Sequence, residues 1–211
     1  MKVDQKHVHG EIEKDEKDAG SKLHEELIQL KPTDLETLIG DIKQKKFTLA
    51  SMPLIGSLKN ITIIGTPDTV AFYASKPLYV MELKTTMGKP TVWFDSWLQA
   101  QIYAFLLEEM GFDCSKLNVA VASIRQQGEV DRGSFYHELL RAIIEAETDD
   151  FAVKRSCRMR LEPFDRGFVE DKVGWALDYW LMKRDPIPTS KPSKCRSCEY
   201  ATLCPTSKLS N

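Results

Sequence analysis

Apolar residues along this chain change period several times, and the changes mark out its elements. Leu23, Leu27, Ile28 and Leu30 recur at helical spacing. They predict a helix over 19–30, opened near Gly20 and Ser21 and stopped before Pro32. A second, short helix is expected over 33–39, capped by Thr33 or Asp34 and ended at Gly40. Three stretches then read as strands: 46–52, 61–74 and 78–85. The second is rich in Ile, Val, Thr and aromatic residues. Short Gly, Pro and Ser signals separate them, so an antiparallel meander is expected.

The period returns to helical over 92–110, where Trp93, Trp97, Leu98, Ile102, Phe105 and Leu106 mark one face and Gly111 ends the run. Residues 117–124 read as a buried strand, 135–146 as a helix and 151–161 as a strand. Residues 165–183 form a further helical pattern, with Phe168, Val173, Leu177 and Trp180 on its apolar side. This order of elements predicts an α/β fold with a mixed central sheet flanked by helices. Three segments follow: a polar N-terminal stretch over 1–18, a main domain over 19–184, and a tail over 185–211. The tail opens on a linker bearing Pro186, Pro188 and Pro192 and closes on a cysteine-rich piece. There is no internal repeat.

Hydrophobic residues make up 42% of the 211 residues, enough to build a core. No apolar run reaches the length of a bilayer, and residues 1–20 lack the apolar centre of a secretory signal. A soluble, cytoplasmic protein is therefore expected. The formal net charge is −2, so a nucleic-acid partner would need positive charge gathered locally. The distribution is uneven: residues 151–211 carry 12 Lys+Arg against 7 Asp+Glu, whereas residues 1–50 carry 9 against 11. There are five cysteines, an odd number that argues against a disulfide framework. Cys195, Cys198 and Cys204 cluster as metal ligands do.

The candidate chemistry lies in the strands. Glu82 and Lys84 alternate with Leu83, so they share one face while Leu83 enters the opposite layer. Gly65 and Pro67 are expected to bend the preceding strand and free Asp68 to reach the same face. Two carboxylates and an ammonium then converge. Oxygen ligands of this kind suit Mg²⁺, which acidifies a bound water and screens charge on a phosphate. Lys84 would orient the water or stabilise the transition state. Alone, these residues also look like two solvated strand ends.

The wider pattern carries a family resemblance. Gly65-Thr66-Pro67-Asp68 with Glu82-Leu83-Lys84-Thr85 resembles the GxxD and ExK motifs of the PD-(D/E)XK nucleases. Gln99-Ala100-Gln101-Ile102-Tyr103 resembles the QxxxY motif of their RecB-like branch. Gly20-Ser21-Lys22-Leu23-His24 resembles that branch's first motif, a helix with a metal-ligand histidine. The resemblance implies a restriction-endonuclease-like core. It implies that His24, Asp68, Glu82 and the Leu83 carbonyl hold Mg²⁺ or Mn²⁺, that Lys84 is catalytic, and that Gln99 and Tyr103 contact DNA. The implied activity is a deoxyribonuclease, first an exonuclease on single-stranded DNA or duplex ends. The implied partners are a CRISPR integrase or a recombination or helicase protein. A catalytically idle DNA-end adaptor and a structure-specific endonuclease are the alternatives.

Cys195, Cys198 and Cys204 resemble the C-terminal half of the iron–sulfur staple in RecB-like exonucleases such as the CRISPR-associated family, which implies a 4Fe-4S cluster. In those proteins the fourth cysteine precedes the histidine motif, and no cysteine precedes His24 here. Either the chain begins downstream of that ligand or Cys157, Cys114, His7 or His9 substitutes for it. A zinc site, or no metal, remains open.

Overall fold

The computed structural model describes residues 35–125, 138, 141, 150–153, 157–185, 187, 189, 191–196, 198, 201–204 and 207. The helix expected over 19–30, with His24, lies outside the described residues. So does most of the helix expected over 135–146, of which Glu138 and Arg141 are described and helical.

The first helix, α1, runs Leu35–Lys43. It passes through Gly40 instead of stopping there, and the chain turns out at Lys45, whose φ is +56°. One glycine weakens a helix by only about 1 kcal/mol, and the buried Leu38 holds this one to the core.

Among the described residues eight strands follow: β1 Phe47–Ala50, β2 Leu54–Leu58, β3 Ile61–Gly65, β4 Thr69–Tyr73, β5 Lys76–Thr86, β6 Asn118–Arg125, β7 Asp150–Val153 and β8 Cys157–Pro163. Six of them form one sheet in the order β1-β4-β5-β6-β8-β7. Its β5–β6 pair is parallel and its other pairs are antiparallel. The sheet is therefore mixed, as expected. The parallel pair is joined by a crossover through α2, Phe94–Glu109, because parallel neighbours cannot be linked by a tight turn.

Two expected strands are each divided. The stretch 61–74 leaves one sheet and enters another at Thr66-Pro67-Asp68. β3 pairs with β2 in a separate two-stranded sheet, while β4 pairs with β1 and β5. The stretch 151–161 folds back on itself as β7 and β8. Strand β2 has no counterpart in the sequence reading. Its Gly56 lies against α2 so closely that an added Cβ would meet Glu109 Cβ at 2.8 Å and Leu106 Cδ2 at 2.9 Å. The β2–β3 turn is Lys59-Asn60, both at positive φ, and the β4–β5 turn is Ala74-Ser75, likewise. Two-residue turns of this hand match the twist of the strands they join.

Helix α2 is covered on three sides, by the sheet, by the β2–β3 hairpin and by α3, which runs Arg166–Trp180. Hence Ala100, Tyr103, Ala104, Phe105, Leu106 and Leu107 are all buried, a wider surface than the expected stripe. Trp93, placed on that stripe, is instead exposed, and so is Trp180 on α3. Asp165 caps α3 by accepting the Phe168 N–H at 2.9 Å. The buried Gln101 of α2 pins this junction. Its Oε1 accepts the Asp165 N–H at 3.0 Å and its Nε2 donates to the Pro163 carbonyl at 3.3 Å. A short helix α4, Pro192–Arg196, opens on a proline, which suits a first helical turn. Among the described residues no helix is long and apolar enough to cross a membrane.

Candidate active site

The site forms where β4 begins beside β5. Thr69 pairs with Met81, so Asp68 stands just before the ladder and level with Glu82 and Leu83. The Leu83 N–H donates to Asp68 Oδ2 at 2.6 Å. The Ser51 hydroxyl donates to the Pro67 carbonyl at 2.9 Å and ties the bend to the chain beyond β1. Alternation along β5 puts Glu82 and Lys84 on the face covered by α2, while Leu83 is buried in the other layer, as expected.

Glu82 is only 3% exposed. The Lys84 ammonium donates to Glu82 Oε1 at 2.6 Å and to Gln99 Oε1 at 2.9 Å. The other end of the Gln99 amide donates to the Tyr103 hydroxyl at 2.5 Å. Gln99 and Tyr103 lie one helical turn apart on α2, so one face of that helix supplies both. Burial raises the Tyr103 phenol above its ordinary pKa, against the opposing effect of the Gln99 hydrogen bond. The nearby charges of Glu82 and Asp68 raise it further. Burial and these charges both favour the protonated phenol.

The structure thus brings together Asp68, Glu82, Leu83, Lys84, Gln99 and Tyr103. Of this surround, Ser123 escaped the sequence reading, and Gly65 was read only as part of the bend and motif before Asp68. Gly65 seats the Tyr103 ring: a Cβ there would lie 2.5 Å from Tyr103 Cε1. Ser123, paired with Lys84 across β5–β6, accepts the Thr91 N–H at 3.1 Å and fastens the loop that follows β5. Helical phase separates Gln101 from Gln99 and was the signal that it has a different task.

Two carboxylates against one ammonium leave the pocket negative. The Asp68 and Glu82 carboxylates are hard oxygen donors of the kind that suit Mg²⁺ or Mn²⁺. Among the described residues no group of three or more His, Cys, Asp and Glu is close enough to hold a metal ion. The site therefore offers two acidic ligands there. The same holds for the tail. Cys195 is buried, Cys198 exposed and Cys204 half-buried; the Cys198 N–H donates to the Cys195 carbonyl at 3.2 Å, yet the thiols are not gathered into a ligand set. Cys114 and Cys157 do not complete it. Both are core thiols whose pKa burial pushes up to about 12, helped at Cys114 by the charges of Glu108 and Asp113. Among the described residues the three tail thiols do not form a group that could hold a metal ion, and His7 and His9 lie outside the described residues.

Of the cations of the C-terminal third, Arg158, Lys191, Lys194 and Arg196 are exposed, and Arg160 stacks over Trp97 at 4.1 Å. Arg155 lies outside the described residues.

No curated protein matches the chain. Among solved structures, one described as "Crystal structure of SSO0001" resembles it with a TM-score of 0.41 at 16% identity, over 81% of this chain and 67% of that one. The model of the PD-(D/E)XK nuclease superfamily matches residues 5–205. That match runs through the bend bearing Asp68, the strand bearing Glu82 and Lys84, and the helix bearing Gln99 and Tyr103, and it shows that the chain belongs to the PD-(D/E)XK nuclease superfamily.

Proposed function

We propose that this nuclease-superfamily chain is a Mg²⁺- or Mn²⁺-dependent deoxyribonuclease of the RecB-like branch. It hydrolyses phosphodiester bonds in single-stranded DNA or at duplex ends, as an exonuclease. One observation carries the reading: Lys84 is held at once by Glu82 and by Gln99, with Asp68 bonded to the backbone between Glu82 and Lys84.

A divalent ion held by Asp68, Glu82 and the Leu83 carbonyl would supply an acidified water and screen charge on the phosphate. The chain's own residues do the rest. An ammonium has three hydrogens, and two of those on Lys84 are spent on Glu82 Oε1 and Gln99 Oε1. The third is left to meet a phosphate oxygen or the attacking water. Because Glu82 and Gln99 fix the ammonium from two sides, little reorganisation is needed as charge develops. The protonated Tyr103 hydroxyl orients the Gln99 amide, so that its oxygen and not its nitrogen faces Lys84. The RecB-like assignment is supported by the Gln99–Tyr103 pair and by the histidine motif at His24. Partners of the integrase, recombination or helicase kind follow from that assignment.

The test is cleavage of an end-labelled single-stranded oligonucleotide and of a circular single strand, with Mg²⁺, Mn²⁺ or EDTA. Linear DNA is expected to be degraded with either ion, and circles to survive. Asp68→Ala, Glu82→Ala and Lys84→Ala are each expected to abolish cleavage while circular dichroism shows the fold intact. EDTA-resistant cleavage, or full activity in all three variants, would overturn the assignment. Cut circles would overturn only the exonuclease mode.

A further inference from the structure

The loop joining β5 to α2 exposes large apolar side chains. Trp93 is 63% exposed and Met87 is 42% exposed. Phe94 is exposed too, but its ring engages Phe168 edge-on with centroids 6.0 Å apart. Among the described residues the Trp93 indole makes no such ring contact, and it is the largest exposed apolar surface at this end of α2.

The position of Trp93 follows from a short chain of contacts. Lys84 pairs with Ser123 across β5–β6, and Ser123 Oγ holds the Thr91 N–H at 3.1 Å. Trp93 is two residues further on, and Gln99, six residues beyond it, bonds to Lys84. The loop therefore passes around the lysine, and Trp93 stands on the rim so formed, at the carboxyl ends of the parallel pair β5–β6. Open sheets of this kind bind ligands at such ends.

Three cations lie around this rim, and Asp95, in the first turn of α2, is an exposed carboxylate close to Trp93 in the chain. Arg125 pairs with Thr86 at the end of β5, Arg158 pairs with Ser123, and Lys89 lies in the loop; all three are exposed. An aromatic face with cations beside a phosphodiester-cleaving lysine has the composition of a nucleic-acid stacking surface. A base inside a duplex has both faces covered by its neighbours, so the indole suits an unpaired one.

From this placement we propose that Trp93 is a stacking platform for an unpaired nucleobase of the strand whose backbone passes Lys84, with Met87 at its side and Arg125, Arg158 and Lys89 taking the flanking phosphates. The proposal rests on the nuclease reading above and specifies how that site takes its substrate.

The test is fluorescence anisotropy of a labelled dT oligonucleotide in Ca²⁺ without Mg²⁺, so that binding is read without cleavage. Trp93→Ala is expected to weaken binding about tenfold, in line with the worth of one base–aromatic stack. Trp93→Phe should keep most of the affinity, and Trp180→Ala, which removes a still more exposed indole on α3, should keep all of it. An oligonucleotide with abasic sites should bind wild type and Trp93→Ala alike. In Mg²⁺, Trp93→Ala should raise KM and leave kcat nearly unchanged. Unaltered dT affinity in Trp93→Ala, an equal loss on the abasic strand, or no binding by the wild type would overturn the proposal. Trp93-dependent binding without cleavage would sink the nuclease reading alone. Cleavage with Trp93-independent affinity would sink this one alone.

Discussion

Gly65 and Tyr103 fit each other as seat and ring: a methyl group at position 65 would stand 2.5 Å from Tyr103 Cε1 and 3.0 Å from Cδ1. The same ring carries the hydroxyl that accepts from Gln99, whose oxygen accepts from Lys84. The end of β3 thus sets the lysine through two side chains. Gly65→Ala is expected to cost about 1–3 kcal/mol by overpacking and to lower kcat more than it raises KM. In a Tyr103→Leu background, where the ring edge is gone, the same substitution should cost little. A double-mutant cycle in thermal stability and in kcat measures the coupling. Equal costs in both backgrounds would uncouple Gly65 from Tyr103.

Gln99 and Gln101 are two residues apart and do different work. Gln99 is half-buried and faces Lys84; Gln101 is 1% exposed and joins α2 to the start of α3 through Pro163 and Asp165. Gln101→Ala leaves the Pro163 carbonyl and the Asp165 N–H without that partner; both belong to exposed residues that water can reach, so the expected cost is about 1–2 kcal/mol. The kcat of the folded fraction should stay close to wild type. Gln99→Ala should change stability by less than about 1 kcal/mol and lower kcat severalfold. Denaturant titration beside steady-state kinetics checks both, and a reversed pattern would contradict the assignment of the two amides.

Much of this site was legible because it depends on local periods. Strand alternation places Glu82 with Lys84, and helical phase places Gln99 with Tyr103 and away from Gln101. The Asp68 contact follows once β4 and β5 pair as neighbours. The division of 61–74 was not legible. Strong strand formers lie on both sides of Thr66-Pro67-Asp68, and composition does not distinguish a bend within one sheet from passage into another. Strand β2 was missed for a tertiary reason: Gly56 has no side chain to show a pattern, yet its bareness is what lets the hairpin approach α2. Trp93 and Trp180 lie on apolar stripes but are exposed, because periodicity identifies a face and does not say where its cover stops.

The core thiols give the fold an alkaline limit. An ordinary thiol titrates near 9, whereas burial pushes Cys157 and Cys114 up to about 12. Between those values the unfolded chain releases protons that the folded chain retains, so folding stability falls as pH rises from 9 through 12. Each thiol contributes roughly 4 kcal/mol to that loss at most. Cys157→Ala and Cys114→Ala should each flatten the alkaline limb of a denaturation-midpoint profile, relative to their own values at pH 7. Native thiol labelling should reach the exposed Cys198 first, and Cys157 and Cys114 only on unfolding. Early modification of Cys157, or an unchanged alkaline limb in both variants, would contradict the burial argument.

Lys84 has two electrostatic effects that a single substitution pulls apart. Its ammonium lies 2.6 Å from Glu82 Oε1, with the Glu82 side chain 4% exposed and that of Lys84 38% exposed. Lys84→Ala removes the positive partner of a buried carboxylate. Half-exposure of the lysine screens the pair, so the expected cost is about 1–3 kcal/mol, below that of a fully buried pair. The same change makes the pocket more negative by one charge, which favours a divalent ion there. In metal-free protein Lys84→Ala should therefore melt below wild type, and Mg²⁺ or Mn²⁺ should raise its midpoint more than that of wild type. The difference follows from tighter binding to the folded state alone. Glu82→Gln should largely abolish the metal-induced shift. Cleavage should be absent in both variants, so stability and metal affinity are read apart from turnover. A metal-induced shift that is the same in wild type, Lys84→Ala and Glu82→Gln would place the ion away from these residues.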